Sequence, residues 1–123
     1  AGIEELVEEF NSTKTVTVSY KNQIDFESYP IEKHLHIFRI LQELLNNSLR
    51  HGKATEISIQ FTIFDNRKTC TYSDNGLGFD SSREENQKGL GMKNIESRIN
   101  FLGGDFNFTS KPNEGVKMVF NFN

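Results

Sequence analysis

The segment DNGLGFD, residues 74–80, places a carboxylate and two glycines directly after a run typical of a strand. A carboxylate at a strand end is held rigidly and can accept hydrogen bonds from a ligand. One residue with positive φ is enough for a turn, and Asn75-Gly76 is expected to supply it. Gly78 is surplus to a turn. The segment therefore predicts that something approaches this backbone closely.

A second glycine pair lies in KGLGMKN, residues 88–94, at the predicted start of a helix. Free backbone N–H groups and the helix dipole attract anions at such a position. The pair is not a dinucleotide-binding fingerprint, because Asn94 stands where the third glycine belongs. No P-loop string occurs in the chain either. The alternative interpretation is a glycine-rich loop that merely precedes a helix.

The third candidate is a polar strip on the long helix that contains QELLNNSLRHG. Glu43 and Asn47 lie one turn apart on this strip, and Arg50 and His51 follow. The strip can be read as a solvated face carrying an Arg39–Glu43 pair at i,i+4. However, asparagine is a poor helix former, so two in succession indicate that an amide is needed there.

Hydrophobic periodicity predicts the elements that must position these residues. Helical spacing marks three segments and strict alternation marks five. We expect helices at 2–10, 30–52 and 90–102, and strands at 14–20, 55–64, 67–73, 105–110 and 115–122. Two pairs of strands read as antiparallel hairpins, and three helices can cover only one face of a sheet. The predicted fold is a single domain over residues 1–123, an α/β two-layer sandwich with a five-stranded mixed, mostly antiparallel sheet.

Composition excludes several classes of function. The 123 residues carry 14 Lys and Arg against 17 Asp and Glu, for a net charge of −3, which disfavours nucleic-acid binding through a basic patch. The single cysteine gives neither an internal disulfide nor a metal cluster. No apolar run approaches a membrane span and no signal peptide is visible. We therefore expect a cytoplasmic domain without direct membrane contact.

Together the three motifs, QELLNNSLRHG, DNGLGF and KGLGMKNIESRINFLGG, resemble the N, G1 and G2 boxes of the catalytic ATP-binding domain of bacterial sensor histidine kinases. This domain belongs to a superfamily shared with DNA gyrase, heat-shock chaperone and mismatch-repair ATPases. The order, spacing and context of the boxes match across essentially the whole chain. The Gln-Glu pair that begins the first motif and the segment KNIESRINFLGG are similar to those of the nitrate-sensor and membrane-fluidity-sensor kinases.

The resemblance implies a Mg-ATP site. Asn47 matches the asparagine that binds Mg²⁺, and Glu43 the acidic residue that activates the nucleophile. Asp74 matches the aspartate that accepts from the adenine amino group, while Gly76 and Gly78 would clear space for the base. The remaining matched positions would contact or flank the phosphates and nucleotide: Arg50, His51, Lys88, Gly89, Gly91 and Met92. Residues 80–88 would form a lid that orders when ATP binds.

One position departs from the family pattern. A Gly-Thr pair is usual near the last strand, where the threonine hydroxyl helps to bind the base. Here the pair is Gly115-Val116, and a valine side chain cannot make that hydrogen bond.

The acceptor of the phosphoryl group is also missing. None of His34, His36 and His51 is followed by an acidic residue, as a phosphoacceptor histidine of this family is. The resemblance therefore implies a separate dimerisation and phosphoacceptor hairpin, and a response regulator downstream. Two alternatives stay open: a serine kinase of the anti-sigma type, and a non-catalytic module gated by ATP.

Overall fold

A computed structural model of the chain describes residues 2–78 and 91–123. Three helices and five strands occur in this part of the chain. In chain order they are α1 (Gly2–Ser12), β1 (Thr17–Asn22), α2 (Ile31–Arg50), β2 (Glu56–Phe64), β3 (Arg67–Asp74), α3 (Met92–Phe101), β4 (Phe106–Ser110) and β5 (Val116–Phe122). A single turn of 3₁₀ helix, Phe26–Ser28, precedes α2.

The five strands form one sheet in the order β1-β2-β3-β5-β4. The first two strands are parallel and every other neighbouring pair is antiparallel. A parallel pair needs a long crossover connection, and α2 provides it between β1 and β2. The predicted mixed, mostly antiparallel sheet is confirmed.

Alternation along the strands separates a buried face from a face open to solvent. In β2 the side chains of Ile57, Ile59 and Phe61 are buried, whereas those between them are exposed. The buried face packs against the helices in one hydrophobic core. Ile63 follows Phe61 by two positions on the same face, but it lies near the hairpin tip and is 45% exposed. The hairpin turns at Asp65 and Asn66, which have φ of 50° and 64°, as a two-residue turn requires.

The long helix α2 is the central element of the helical layer. Its buried residues recur at spacings of one, three and four, so one broad side faces the sheet: Ile37, Ile40, Leu41, Leu44, Leu45 and Ser48. Pro30 stands at its N-cap, which agrees with the predicted start. No helix of the described residues is long and apolar enough to span a membrane.

Several predicted boundaries differ from the structure by one to three residues. The first strand begins at Thr17 rather than at residue 14, because α1 continues to Ser12 and Lys14 turns the chain with φ of 60°. The side chain of Asn11 then holds Val18 through two hydrogen bonds, of 2.7 and 3.0 Å. The third helix begins at Met92 instead of residue 90.

Candidate functional site

Asp74 ends β3, and its carboxylate is bonded by three donors. Oδ1 accepts from the backbone N–H groups of Gly76 and Val116, both at 3.0 Å. Oδ2 accepts from the hydroxyl of Ser48 on α2, at 2.5 Å. The carboxylate is therefore fixed by the turn that follows β3, by the start of β5 and by α2. Val116, whose side chain departs from the family pattern, contributes its backbone N–H instead.

Two buried hydroxyl groups, those of Ser48 and Tyr72, are linked by hydrogen bonds to the Asp74 carboxylate. The Ser48 hydroxyl is hydrogen-bonded to the hydroxyl of Tyr72, which also lies 3.0 Å from the carbonyl oxygen of Leu44. Ser48 is 3% exposed and Tyr72 is fully buried. Burial raises the pKa of the Tyr72 phenol well above its usual range, so the phenol stays protonated.

The sequence interpretation did not identify Ser48 and Tyr72 as site residues. Two signals could have identified them. Ser48 is a hydroxyl on the apolar side of α2, and Tyr72 shares the inward face of β3 with Asp74, two positions away.

The glycines after β3 allow two backbones to meet. A Cβ on Gly76 would come within 2.5 Å of the Gly52 carbonyl oxygen, to which the N–H of Leu77 donates at 2.6 Å. Gly78 faces the carbonyl oxygens of Lys111 and Gly115, and its φ is 63°. The prediction that Asn75-Gly76 supplies the positive φ of this turn was wrong, since Gly78 supplies it. A place for these glycines beside a nucleotide base stays a prediction.

Asn75, which lies between the carboxylate and these glycines, uses its side chain to hold the neighbouring backbone. Its side-chain oxygen accepts from the backbone N–H groups of Thr55 and Glu56, both at 2.9 Å. Its amide donates to the Thr55 hydroxyl at 2.9 Å. The side chain thereby ties the turn after β3 to the start of β2.

The polar strip of α2 lies along one side of the site. Glu43 and Asn47 are half-buried, whereas Arg50 and His51 are exposed at the end of the helix. The backbone carbonyl of Asn47 accepts from the N–H groups of His51 and Gly52, at 3.0 and 3.1 Å, which closes the helix. The strip therefore presents a carboxylate and an amide one turn apart, followed by two basic side chains.

A cleft of about 340 Å³ separates α2 from α3 beside Glu43. Its lining is mostly polar: Arg39, Gln42, Glu43, Asn94, Ile95 and Arg98. Within the described ranges, the Arg39 guanidinium donates to Gln42 Oε1, at 2.9 Å, rather than to Glu43. The interpretation of the strip as an Arg39–Glu43 ion pair is therefore not supported.

Gly91 brings the start of α3 against the Glu43 carboxylate. It is the N-cap of α3, with φ of 68°, and a Cβ there would overlap Glu43 Oε1. Met92, a predicted nucleotide-binding residue, is buried in the hydrophobic core. Lys88, Gly89 and the predicted lid at 80–88 lie outside the described residues.

His34 and His36 contact other side chains of the described residues. His34 stacks on Phe26, with ring centroids 5.2 Å apart, and burial lowers its pKa below 6.5. His36 Nδ1 lies 3.1 Å from Arg98 Nη1. Because a guanidinium can only donate, Nδ1 is the acceptor and the proton of His36 sits on Nε2.

The donor chemistry at Asn47 fits a magnesium ion held together with phosphates. The described residues contain no group of three or more His, Cys, Asp or Glu side chains that could hold a metal. Mg²⁺ does not require such a group, because it keeps several waters and is bound through one or two protein oxygens plus substrate phosphates. The side-chain oxygens of Asn47 and Glu43 meet that description.

The sequence over residues 32–123 matches the family described as histidine kinase-, DNA gyrase B- and HSP90-like ATPases. The kinase/phosphatase DegS of Brevibacillus brevis is 27% identical over 117 residues, which are 95% of this chain and 30% of that protein. The sensor protein VraS of Staphylococcus saprophyticus is 30% identical over 119 residues, or 95% of this chain and 33% of that protein. The chain thus spans about a third of these relatives.

Solved structures show the same fold. The blue-light activated histidine kinase of Erythrobacter litoralis superimposes with a TM-score of 0.80 at 18% identity, over 98% of this chain and 40% of that one. The histidine kinase AdeS of Acinetobacter baumannii gives 0.74 at 14% identity, over 98% of this chain and 62% of that one. The family match over residues 32–123 shows that the chain belongs to the histidine kinase-, DNA gyrase B- and HSP90-like ATPases.

Proposed function

We propose that this domain binds Mg-ATP and transfers its γ-phosphoryl group to a histidine on a separate dimerisation and phosphoacceptor hairpin of its own protein. The observation that carries the proposal is the hydrogen bond that joins the Asp74 carboxylate to Ser48, the residue after Asn47 on α2. It brings the fixed carboxylate to the helix that carries Glu43 and Asn47. The names of the relatives, which are sensor kinases, support the same class of chemistry.

Asp74 would recognise the base. Donors from the described residues occupy three of its four acceptor positions, and the remaining one suits the adenine amino group. Asn47 would bind Mg²⁺, which neutralises phosphate charge when it is bound. Arg50, Lys88 and the backbone N–H groups of Gly89 and Gly91 would contact the phosphates. His51 and Met92 would flank the nucleotide.

Glu43 would act on the incoming histidine. As the new N–P bond forms and the bond to ADP breaks, the imidazole ring must lose a proton. A carboxylate that lines an open cleft can accept that proton. The phosphorylated histidine would then pass the group to a response regulator. The proposal places the domain in the cytoplasm, and the proposed reaction requires contact with neither nucleic acid nor membrane.

Incubation with γ-labelled ATP tests the proposal. The isolated domain should stay unlabelled, because His34 and His36 are packed against other side chains and none of the three histidines has acceptor context. Addition of the hairpin from the same protein should give an acid-labile label on the hairpin. Acid-stable label on an added protein would favour the anti-sigma-type serine kinase. ATP binding without transfer to any protein would favour the ATP-gated module.

A further inference from the structure

The hydrogen bonds around Asp74 limit how many donors a base can offer to it. A carboxylate has about four acceptor positions, two on each oxygen. Both positions of Oδ1 are taken by the backbone N–H groups of Gly76 and Val116, at 3.0 Å. One position of Oδ2 is taken by the Ser48 hydroxyl, at 2.5 Å. Counting the donors of residues 2–78 and 91–123, a single acceptor position is left, and it is on Oδ2.

The direction of each proton follows from the same contacts. Ser48 has one hydroxyl proton, which it donates to Asp74. The contact between the Ser48 and Tyr72 hydroxyls then uses the proton of Tyr72, which is shared with the carbonyl oxygen of Leu44, 3.0 Å away. The buried phenol keeps that proton, since burial raises its pKa. Tyr72 thus orients Ser48, and Ser48 alone of the two touches the carboxylate.

Purine bases differ in the donors on the edge they present. Adenine offers one amino group, which can fill one acceptor position. Guanine offers N1–H and the 2-amino group side by side, and their best partner is a carboxylate with both oxygens free. Hypoxanthine offers N1–H alone. A carboxylate with one open position therefore suits a base with one donor and leaves the second donor of guanine unpaired, which is costly in a closed site.

We propose that Ser48 is a specificity-determining residue: by occupying one position on Asp74 Oδ2, it makes the site accept one purine donor and reject two. The proposal rests on the proposed nucleotide site and adds to it a residue that selects the base. It assigns discrimination against guanine to hydrogen bonds within the protein, without any clash.

Calorimetry with ATP, ITP and GTP on the full-length protein tests this proposal. In the wild type, ATP should bind most tightly and GTP no more tightly than ITP. Ser48→Ala frees a second position on Oδ2, where both guanine donors can share one oxygen. The affinity for GTP relative to ITP should then rise by about tenfold, the value of one hydrogen bond to a charged group. ITP and GTP differ only by the 2-amino group, so a general loss of structure would leave their ratio unchanged.

Tyr72→Phe is the matched control. It removes the other buried hydroxyl of the pair but leaves the Ser48 donor on Asp74, so it should lower the midpoint of unfolding and keep the GTP-to-ITP ratio of the wild type. Ser48→Thr retains a hydroxyl and should keep that ratio as well.

An unchanged ratio in Ser48→Ala would overturn the proposal, and so would an equal change in Tyr72→Phe. If the wild type binds ATP and Ser48→Ala has the same GTP-to-ITP affinity ratio as the wild type, this inference alone is refuted. A wild type that binds no ATP refutes the proposed function and the inference with it.

Discussion

The two ends of the candidate site differ in how completely the described residues build them. At the Asp74 end, three donors from three segments hold one carboxylate, and a buried tyrosine supports one of those donors. At the Glu43 end, a half-buried carboxylate lines an open cleft between two helices. The arginines of that cleft bond to neighbouring polar side chains, Gln42 and His36.

This contrast indicates that the two ends of the site have different functions. A base-recognition site needs fixed geometry before the ligand arrives, and the end of β3 has it. A phosphoryl-transfer site must admit a second macromolecule, and an open cleft next to a carboxylate permits that. We infer that the domain builds base recognition by itself, whereas the chemical step is completed by the phosphoacceptor hairpin.

The largest predicted effect is the loss of phosphoryl transfer when Glu43 is replaced. Glu43→Gln keeps the size of the side chain but removes its ability to accept a proton, so transfer to the hairpin should fall by roughly 10²- to 10⁴-fold. ATP affinity should stay within a few-fold. Glu32→Gln, an exposed charge-matched change in the first turn of the same helix, should transfer at the wild-type rate. Wild-type transfer in Glu43→Gln would remove this residue from the mechanism.

Asn47→Asp tests the proposed Mg²⁺ ligand at the same end of the site. The change puts a negative charge where a neutral oxygen is predicted to meet Mg²⁺ and triphosphate, so both Mg-ATP affinity and transfer should fall by about tenfold or more. ATP without magnesium should bind the wild type and the variant more alike. The check is calorimetry with and without the metal. A variant that loses transfer but keeps full Mg-ATP affinity would move Asn47 from binding to chemistry.

Much of this architecture follows from local sequence. Alternating side chains such as Ile57, Ile59 and Phe61 define β2 because one face of the strand is buried, and the Asp65-Asn66 pair fits a two-residue turn. The start of β1 was misplaced because α1 continues to Ser12 and the chain turns at Lys14, which the alternation of Val16 and Val18 does not reveal. The Asn11 side chain then holds Val18 across that turn.

The candidate site was predicted unevenly for a similar reason. Residues such as Glu43 and Asp74 are recognisable from family motifs. The supporting hydroxyls of Ser48 and Tyr72 are not, since their hydrogen bonds join α2 to β3 and exist only after the helix packs on the sheet. Gly76 was assigned to ligand approach, although its close neighbour in the structure is the backbone of Gly52.

The smallest predicted effect is a pH dependence of stability that arises from His34, a residue outside the candidate site. Burial lowers the pKa of His34, so the folded chain binds this proton less readily than the unfolded chain does. The contribution of His34 to the free energy of unfolding is therefore complete above about pH 6.5 and falls as the pH drops below that value.

Thermal melts at about pH 7.5 and about pH 5.5 measure this difference. The drop in Tm on acidification should be smaller in His34→Gln than in the wild type, by at most about 2 °C because the ring is partly exposed. An identical drop would show that the stacked ring does not resist protonation.

The central claim, that Asp74 recognises the base of ATP, is tested most directly by calorimetry on Asp74→Asn. The amide oxygen can still accept from the N–H groups of Gly76 and Val116, so the fold should hold, while the NH₂ group meets the adenine amino group donor to donor. ATP affinity should fall by roughly 10²-fold. Asp105→Asn, the same change at an exposed position, should bind ATP as the wild type does. An ATP affinity in Asp74→Asn equal to that of the wild type would contradict the account.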